Sequence, residues 1–275
     1  MPQVRELLAR ATELPGAEAR REAEVLLGHS LGKPRSWLYA WPEAEVGEAE
    51  RAHFERLLDA RASGQPIAYL TGRREFWSLD LAVSPATLIP RPETETLVQW
   101  ALELPLTEPC RALDLGTGSG AIALALLSER PAWHITGVDS SKDALALARD
   151  NARYLELGQL EFLQSDWFAQ LEGRRFELLV SNPPYVADSD PHLSRGDLRF
   201  EPRSALAAKK SGLADLQLII SQASGYLERP GWLLLEHGYE QGAPVRDMLG
   251  AAGFVEVETR LDAAGLERVT GGRLC

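Results

Sequence analysis

Hydrophobic residues in the first 70 positions of the chain recur at helical spacing, and short breaks divide them into segments. Gly32, Pro34 and Pro42 mark the breaks, because glycine and proline interrupt helices. The pattern predicts a small helical domain, which we assign to residues 1–72. The apolar positions that carry this prediction are Leu7, Leu8, Val25, Leu26, Leu27, Phe54, Leu57 and Leu58.

An alternating segment follows the helical pattern. Residues 76–83 alternate roughly between apolar and polar side chains, as in a strand, and Pro85, Pro90 and Pro92 come after them. These prolines lack a backbone donor, so neither a helix nor a paired strand is expected to continue through them. We therefore predict a short β-hairpin and linker at residues 73–92, joining the helical domain to the rest of the chain.

Strand and helix patterns alternate through the remaining residues, 93–275. This alternation predicts an α/β fold with a mostly parallel sheet and crossover helices. The polar stretch 186–210, which contains Pro191 and Pro202, is expected to form a long loop over the site. The predicted strands lie at residues 113–115, 134–138, 160–163, 176–181, 232–236, 254–259 and 266–270.

Composition and charge narrow the class of protein. The chain has 275 residues, 45% of them hydrophobic, and a formal net charge of −11. This acidic balance argues against a broad nucleic-acid surface, which needs cationic contacts to phosphate, so we expect no direct nucleic-acid partner. The two cysteines, Cys110 and Cys275, have no ligand spacing, so we expect neither a disulfide framework nor a metal site.

The location of the protein is also constrained by the pattern of apolar residues. No apolar run approaches the roughly 18 residues that a membrane span needs. The first residues lack the charged region and apolar core of a signal peptide. We therefore expect a cytoplasmic protein without a membrane partner.

Asn182, Pro183, Pro184 and Tyr185 directly follow the predicted strand 176–181. Ligands of open α/β sheets bind outside the carboxyl ends of the strands, so we expect this motif at the site. The Asn182 side-chain oxygen and the Pro183 carbonyl can each accept one N–H of a planar NH2 group. The Tyr185 ring can cover the face of that group, which leaves the nitrogen lone pair free to attack an electrophile. We predict that all four residues bind substrate and that Asn182, Pro183 and Tyr185 are catalytic.

A glycine-rich turn follows the predicted strand 113–115, and it is the candidate binding site for the molecule that carries the electrophile. The turn consists of Gly116, Thr117, Gly118, Ser119 and Gly120. Alternate glycines before a helix allow a ligand to approach the backbone closely. Their spacing departs from the G-x-G-x-x-G dinucleotide fingerprint, so a nicotinamide cofactor is less favoured. A structural alternative is that the turn is only a tight connection between strand and helix.

Acidic residues follow the next two predicted strands. The Asp139 carboxylate could accept both hydroxyls of a ribose, and Asp166 could accept an adenine amino group. Both have structural alternatives, because Asp139 could cap the helix that begins near Ser141 and Asp166 could cap a turn. His237 could be a general base or a hydrogen-bonded structural histidine. The pattern favours recognition of a nucleoside.

Taken in order, these motifs resemble the S-adenosylmethionine-dependent methyltransferases. Residues 74–77, 84–95 and 199–202 narrow the resemblance to the HemK/PrmC family, which methylates a glutamine side-chain nitrogen in class I peptide-chain release factors. The motif from Asn182 to Tyr185 is also shared with adenine- and cytosine-amino methyltransferases. The segment 84–95 therefore carries the narrower assignment.

The resemblance implies a class I, Rossmann-like methyltransferase sheet with S-adenosyl-L-methionine as cofactor. It implies methyl transfer to N5 of the glutamine in the Gly-Gly-Gln motif, by a protein whose helical domain grips the release factor. We separately expect the protein to be a monomer. Trp167, which could be only a core aromatic, has a family counterpart that touches the cofactor. The cofactor-binding residues are then expected to be Gly116, Thr117, Gly118, Ser119, Gly120, Asp139, Asp166, Trp167 and Asn182.

Two other functions stay open on the sequence alone. The same four-residue motif could methylate the exocyclic amine of an extruded nucleic-acid base. The chain could also be a nucleotide-binding module that has kept the fold and lost the chemistry. The acidic charge and the segment 84–95 disfavour the first alternative, and the intact motif at Asn182 disfavours the second.

Overall fold

The computed structural model describes the chain from Met1 to Cys275, apart from the side chain of Lys210. The chain divides into two compact units, Met1–Arg73 and Arg74–Cys275. This division lies next to the predicted end of the helical domain at residue 72. The further boundary after residue 92 stays a prediction.

The first unit is helical. Its helices are α1 (Val4–Ala9), α2 (Ala19–Leu31), α3 (Arg35–Ala40), α4 (Glu48–Ala62) and α5 (Ile67–Thr71). Leu26, Leu27, Phe54 and Leu58, which predicted this packing, are fully buried in one cluster. Gly32 ends α2 with a φ of 61°, a left-handed conformation that glycine adopts without strain. The breaks in the apolar pattern therefore coincide with the ends of helices.

A hairpin follows, as the alternating segment predicts. β1 (Arg73–Phe76) pairs with β2 (Leu79–Ala82) in a two-stranded sheet. Trp77 and Ser78 form the turn, and both have positive φ, 52° and 59°. Two left-handed residues are typical of primed turns, whose twist suits a tight hairpin. The Trp77 backbone N–H donates to a Glu95 carboxylate oxygen at 2.9 Å, which ties this turn to the start of the next helix.

The second unit is built on a mostly parallel sheet. Strands β3 to β11 are, in order, Arg111–Leu115, His134–Asp139, Glu161–Gln164, Phe176–Ser181, Val186–Ala187, Ala207–Ala208, Leu227–Glu236, Val255–Leu261 and Glu267–Leu274. The strand order in the main sheet is β10-β11-β9-β6-β3-β4-β5, and β7 pairs separately with β8. β11 runs antiparallel to both of its neighbours, and the pairs from β9 to β5 are parallel. The chain order reverses between β3 and β6, where a ligand crevice is expected.

Helices pack on both faces of this sheet. Helices α6 to α12 are, in order, Glu95–Glu103, Ala121–Glu129, Lys142–Tyr154, Arg203–Leu206, Lys209–Gly212, Ala214–Ala223 and Gly242–Ala251. Successive strand residues point to opposite faces. Leu178 accordingly packs in a cluster with α6, α7 and α8, whereas Leu179 packs in a second cluster with α11 and α12. Both side chains are fully buried, which explains the continuous apolar run of β6.

The α/β fold with a mostly parallel sheet is confirmed, and the predicted strand 176–181 coincides with β6. The long loop expected at residues 186–210 is interrupted by short elements. This stretch contains β7, α9, β8, the start of α10 and two short 3-10 helices. The reason is local burial, because Leu193, Leu206 and Ala208 are apolar and buried within it. Every helix in the described part of the chain is too short or too polar to cross a lipid bilayer.

Candidate active site

A cavity of about 270 Å³ lies at the carboxyl ends of the parallel strands in the second unit. The segments that follow β3, β4, β5 and β6 line it, together with the linker after β2 and part of α9. The predicted site residues in its lining are Gly116, Thr117, Gly118, Ser119, Asp139, Asp166, Trp167, Asn182 and Pro184. Among the described residues predicted for the site, Gly120, Pro183 and Tyr185 lie outside this lining.

The glycine-rich turn presents its backbone to the cavity. The N–H groups of Gly116 and Thr117 both donate to the Val138 carbonyl at 2.9 Å, which anchors the turn to β4. Gly118 has a φ of 56°, and no atom lies within 4 Å of the position that a Cβ would occupy there. The open side of the Gly118 backbone is therefore accessible to a ligand.

Gly120, unlike Gly118, is closely packed by neighbouring side chains. It begins α7 with a φ of 84°. A Cβ at this position would lie 3.1 Å from Leu124 Cδ1 and 3.3 Å from Ala148 Cβ. Gly120 therefore permits close packing behind the turn, which a larger residue would disturb.

Asp114 is a fully buried carboxyl at the base of the turn. The Thr117 hydroxyl donates to its Oδ2 at 2.7 Å. Burial raises the pKa of Asp114 to about 7, and the charge of Asp139 acts in the same direction. The hydrogen bond from Thr117 thus ties the glycine-rich turn to the buried Asp114 side chain.

Asp139 lies at the end of β4 with both carboxylate oxygens turned toward neighbouring backbone. Its Oδ2 accepts the Gly118 N–H at 3.0 Å, and its Oδ1 accepts the Ser141 N–H at 2.9 Å. The side-chain cap of α8 is Ser141, whose hydroxyl accepts the Ala144 N–H at 3.2 Å. A carboxylate has about four acceptor positions, so Asp139 retains capacity for a ligand in the cavity.

Trp167 and Asp166 form another wall of the cavity. Trp167 has a φ of 48°, which is rare for a bulky residue, and its carbonyl accepts the Ser165 hydroxyl at 2.8 Å. Its ring lies against the turn, 3.5 Å from the position that a Cβ of Gly116 would occupy. Asp215 lines the cavity as well, and burial together with the charge of Asp166 raises its pKa. This wall therefore combines an aromatic ring with two carboxyl groups.

Asn182 follows β6 beside the glycine-rich turn. Ser181 pairs with Leu115 in the sheet register, which brings the residues after β6 next to those after β3. The Asn182 side-chain Nδ2 donates to the Thr94 hydroxyl oxygen at 3.2 Å. With its nitrogen held in this way, the Asn182 amide has its oxygen available to a ligand.

Tyr185 lies outside the cavity lining, and its hydroxyl is hydrogen-bonded within the fold. That hydroxyl donates to Oε1 of Glu236, at the end of β9, at 3.2 Å. Glu236 is fully buried, and burial raises its pKa to about 7. Burial also raises the pKa of the Tyr185 hydroxyl, and the charge of Glu236 adds to that effect. The sequence reasoning gave no role to Thr94 or Glu236, although Thr94 lies in the segment 84–95 that carries the family resemblance.

His237 is a buried, hydrogen-bonded histidine. Its Nδ1 lies 2.8 Å from the Gly238 carbonyl, and its Nε2 lies 2.7 Å from the Thr270 hydroxyl. Burial lowers the pKa of His237, so the neutral ring donates from Nδ1 and accepts at Nε2. Both ring nitrogens are thereby used within the fold, which favours the structural alternative over a general base.

Two of the segments that carry the family resemblance meet in this unit. Glu201, whose side chain is fully buried, pairs with Arg91, a residue in the cavity lining. The other Glu201 oxygen accepts the Ile89 backbone N–H at 3.0 Å. The linker after β2 and the loop before α9 are thus joined through one carboxylate.

Two family models match separate parts of the chain, one in each unit. The PrmC N-terminal domain family matches residues 3–72. The methyltransferase small domain family matches residues 94–198, which include the glycine-rich turn and the motif that begins at Asn182.

The chain is similar over nearly its whole length to curated bacterial proteins. It is 53% identical over 254 residues to the release factor glutamine methyltransferase of Salmonella typhimurium, covering 92% of each chain. It is 51% identical over 263 residues to that of Escherichia coli, covering 95% of each. It is 51% identical over 267 residues to that of Pseudomonas aeruginosa, covering 97% of each.

Solved structures share the fold at low sequence identity. The hMettl16 catalytic domain, solved in complex with a MAT2A 3'UTR hairpin, aligns with a TM-score of 0.59 at 17% identity, covering 78% of this chain and 81% of that one. A methyltransferase from Pyrococcus furiosus aligns with a TM-score of 0.53 at 15% identity, covering 71% and 88%. These likenesses establish a methyltransferase fold.

Proposed function

The chain belongs to the release factor glutamine methyltransferase family, and we propose the residues that carry its reaction. The protein transfers a methyl group from S-adenosyl-L-methionine to N5 of the glutamine in the Gly-Gly-Gln motif of class I peptide-chain release factors. The observation that supports this most strongly is the position of Asn182. Its amide nitrogen donates to Thr94, which leaves the side-chain oxygen to accept from a ligand, and Asn182 is part of the cavity lining beside the glycine-rich turn.

The chemistry of the cavity lining fits S-adenosyl-L-methionine. Asp139 offers carboxylate acceptors for ribose hydroxyls, and Asp166 offers one for an adenine amino group. The open backbone at Gly118 allows a polar chain to approach closely. Carboxylates in the lining also favour a positively charged ligand. When bound, the cofactor supplies an electrophilic methyl group on a positively charged sulfur.

The glutamine amide is bound by acceptors on this chain. The Asn182 side-chain oxygen and the Pro183 carbonyl each accept one N–H of the substrate NH2 group. These two bonds hold the nitrogen with its lone pair directed into the cavity, and they become stronger as positive charge develops on that nitrogen. The Tyr185 ring, although it lies outside the cavity lining, is proposed to cover the face of the planar amide, and the hydrogen bond to Glu236 fixes the orientation of that ring. Pro184 lies in the cavity lining and is proposed to contact the substrate glutamine as well.

Positioning contributes much of the rate because an amide nitrogen is a weak nucleophile. Its lone pair is delocalised into the carbonyl, and the two acceptors favour a geometry in which the pair is localised on nitrogen. Fixing two reactants at attack distance can supply about 7–11 kcal/mol. The nitrogen loses a proton after it is methylated, either to water or to the Asn182 oxygen, so no dedicated base is required.

Transfer of a radiolabelled methyl group tests this function against the alternative of a nucleic-acid substrate. We expect label from S-adenosyl-L-methionine to appear on an unmodified class I release factor. The matched sample contains single-stranded DNA and RNA with adenine and cytosine in place of the protein. Label on nucleic acid and not on the release factor would establish the exocyclic-amine reaction instead. Absence of label from both, with cofactor bound, would indicate a non-catalytic module.

We propose that the helical unit recognises the release factor. A pocket for one side chain has too little contact area to select one protein among many, so a second surface is needed. The match to the PrmC N-terminal domain family at residues 3–72 supports the helical unit as that surface. The protein is proposed to act as a monomer, without direct contact with nucleic acid.

A shortened protein comprising residues 73–275 tests this assignment while keeping the hairpin β1–β2. We expect it to bind S-adenosyl-L-methionine with the affinity of the full chain, and to lose at least about tenfold in kcat/KM on the intact release factor. A short Gly-Gly-Gln peptide, a poor substrate for both proteins, serves as the control and should change much less. An undiminished kcat/KM on the intact factor would rule out the recognition role, as would equal losses on factor and peptide.

A further inference from the structure

Residues 83–91 contribute to the cavity from a part of the chain that has no regular secondary structure. β2 ends at Ala82, and the next 3-10 helix begins at Pro92. A stretch between elements lacks the backbone hydrogen bonds of a helix or a sheet, so other contacts must fix its position. Five of its residues lie in the cavity lining, and we call them the linker wall: Ala86, Thr87, Leu88, Pro90 and Arg91.

Glu201 supplies two such contacts to this stretch. Its Oε2 accepts the Ile89 backbone N–H at 3.0 Å, and its Oε1 accepts from the Arg91 guanidinium. The Glu201 side chain is fully buried, and Glu201 itself lies outside the cavity lining. Removing a carboxylate from water is costly unless it is hydrogen-bonded, and here both oxygens are bonded to the linker. Hydrogen bonds between ionised partners are among the stronger ones in proteins.

Glu201 is also close in sequence to a second part of the cavity lining. Helix α9 begins two residues later, at Arg203, and its residues Ser204 and Ala205 line the cavity. Ile89 and Arg91 precede Glu201 by 112 and 110 residues. One buried carboxylate therefore connects two parts of the lining that are distant in sequence.

We propose that Glu201 is a positioning residue that fixes the linker wall relative to α9, so that the cavity is formed before S-adenosyl-L-methionine binds. The proposal rests on the proposed function, in which this cavity holds the cofactor. Glu201 acts through Ile89 and Arg91 and does not touch the ligand. Without it the linker wall occupies several positions, and the apparent affinity falls with the fraction of molecules in the binding arrangement.

The substitution Glu201→Gln tests the proposal while keeping the size of the side chain. An amide has one acceptor oxygen, so it can serve Ile89 or Arg91 but not both, and its NH2 group then faces a donor. We expect the Kd for S-adenosyl-L-methionine to rise at least about tenfold by calorimetry, as when about a tenth of the molecules keep the binding arrangement. The kcat at saturating cofactor should stay within about threefold of wild type.

Hydrogen exchange followed by mass spectrometry measures the position of the linker directly. Backbone amides within residues 83–91 should exchange faster in the free Glu201→Gln protein than in free wild type, because the Ile89 N–H and its neighbours open more often. Saturating S-adenosyl-L-methionine should remove most of that difference. Equal exchange in the two free proteins would contradict the positioning role.

Asp262→Asn is the matched control. Asp262 is another buried carboxylate, and its Oδ1 accepts the backbone N–H groups of Ala264 and Leu266 while its Oδ2 pairs with Arg268. Asp262 and its partners lie outside the cavity lining. The control variant loses the same kind of buried contact, and its cofactor Kd should equal that of wild type. An equal rise in Kd in both variants would mean a general loss of stability and would overturn the proposal.

Arg91→Met removes the other half of the ion pair and gives a second test. If Glu201 and Arg91 act as a unit, adding Glu201→Gln to Arg91→Met should change the cofactor Kd by less than about threefold. Fully additive losses would overturn the proposal, as would a Glu201→Gln protein with a Kd within about threefold of wild type. If wild type binds cofactor and Asp139→Ala weakens it while Glu201→Gln does not, only the positioning role fails. If wild type binds no cofactor, the proposed function itself is wrong.

Discussion

Replacing Asn182 with alanine should lower kcat by about 10²–10³-fold and leave the fold intact. The substitution removes the side-chain oxygen that accepts one N–H of the substrate amide. That bond is stronger in the transition state, where the nitrogen carries developing positive charge, than in the bound substrate. Its loss is therefore expected in kcat more than in KM.

Steady-state kinetics with an intact release factor measure this effect. Calorimetry with S-adenosyl-L-methionine and the thermal midpoint of unfolding serve as controls, since Asn182 lines the same cavity as the expected cofactor residues. A kcat within about threefold of wild type would remove Asn182 from the mechanism. A loss of activity that merely follows a loss of folded protein would contradict the expectation that the variant keeps its fold.

Replacing Asp139 with alanine should weaken cofactor binding at least about tenfold, with a smaller effect on kcat at saturation. Each hydrogen bond to a charged acceptor is worth about 1.5–3 kcal/mol, and a factor of ten corresponds to about 1.4 kcal/mol. Asp139 also accepts the Gly118 N–H, so its removal should loosen the glycine-rich turn. Both effects act on the affinity for S-adenosyl-L-methionine, which calorimetry measures.

Asp143→Ala is the matched control for charge at this end of α8. Asp143 is exposed in the first turn of the same helix and lies outside the cavity lining. It should therefore leave cofactor affinity unchanged while removing an equal charge. Equal affinities in Asp139→Ala and wild type would mean that Asp139 only supports local backbone, and equal losses in both variants would point to a general electrostatic effect.

The sheet and the position of the site could be predicted because both depend on the pattern of apolar residues in short stretches of the sequence. A continuous apolar run such as β6 must be buried on both faces, and the residue after it must lie at the edge of the sheet. The sequence therefore predicts that the glycine-rich turn and Asn182 belong to one site. The cavity lining contains both of them.

The side-chain contacts behind the site could not be predicted, because they join residues that are distant in sequence. Thr94, Asn182 and Glu236 come from three separate segments, and only the register of β6 against β9 brings the last two together. The hydrogen bond of the Tyr185 hydroxyl could not be predicted for the same reason, since its partner Glu236 is 51 residues away. The short elements within residues 186–210 depend on the burial of a few apolar side chains, Leu193, Leu206 and Ala208, which the mostly polar sequence around them does not indicate.

The central claim is that this cavity methylates one glutamine side chain of a release factor. The most direct measurement is tandem mass spectrometry of an unmodified class I release factor after incubation with the protein and S-adenosyl-L-methionine. We predict one added methyl group on the glutamine of the Gly-Gly-Gln motif, formed about 10²–10³-fold more slowly when Asn182→Ala replaces the wild-type protein. A methyl group on any other residue, or an unmodified glutamine despite turnover of the cofactor, would contradict the account.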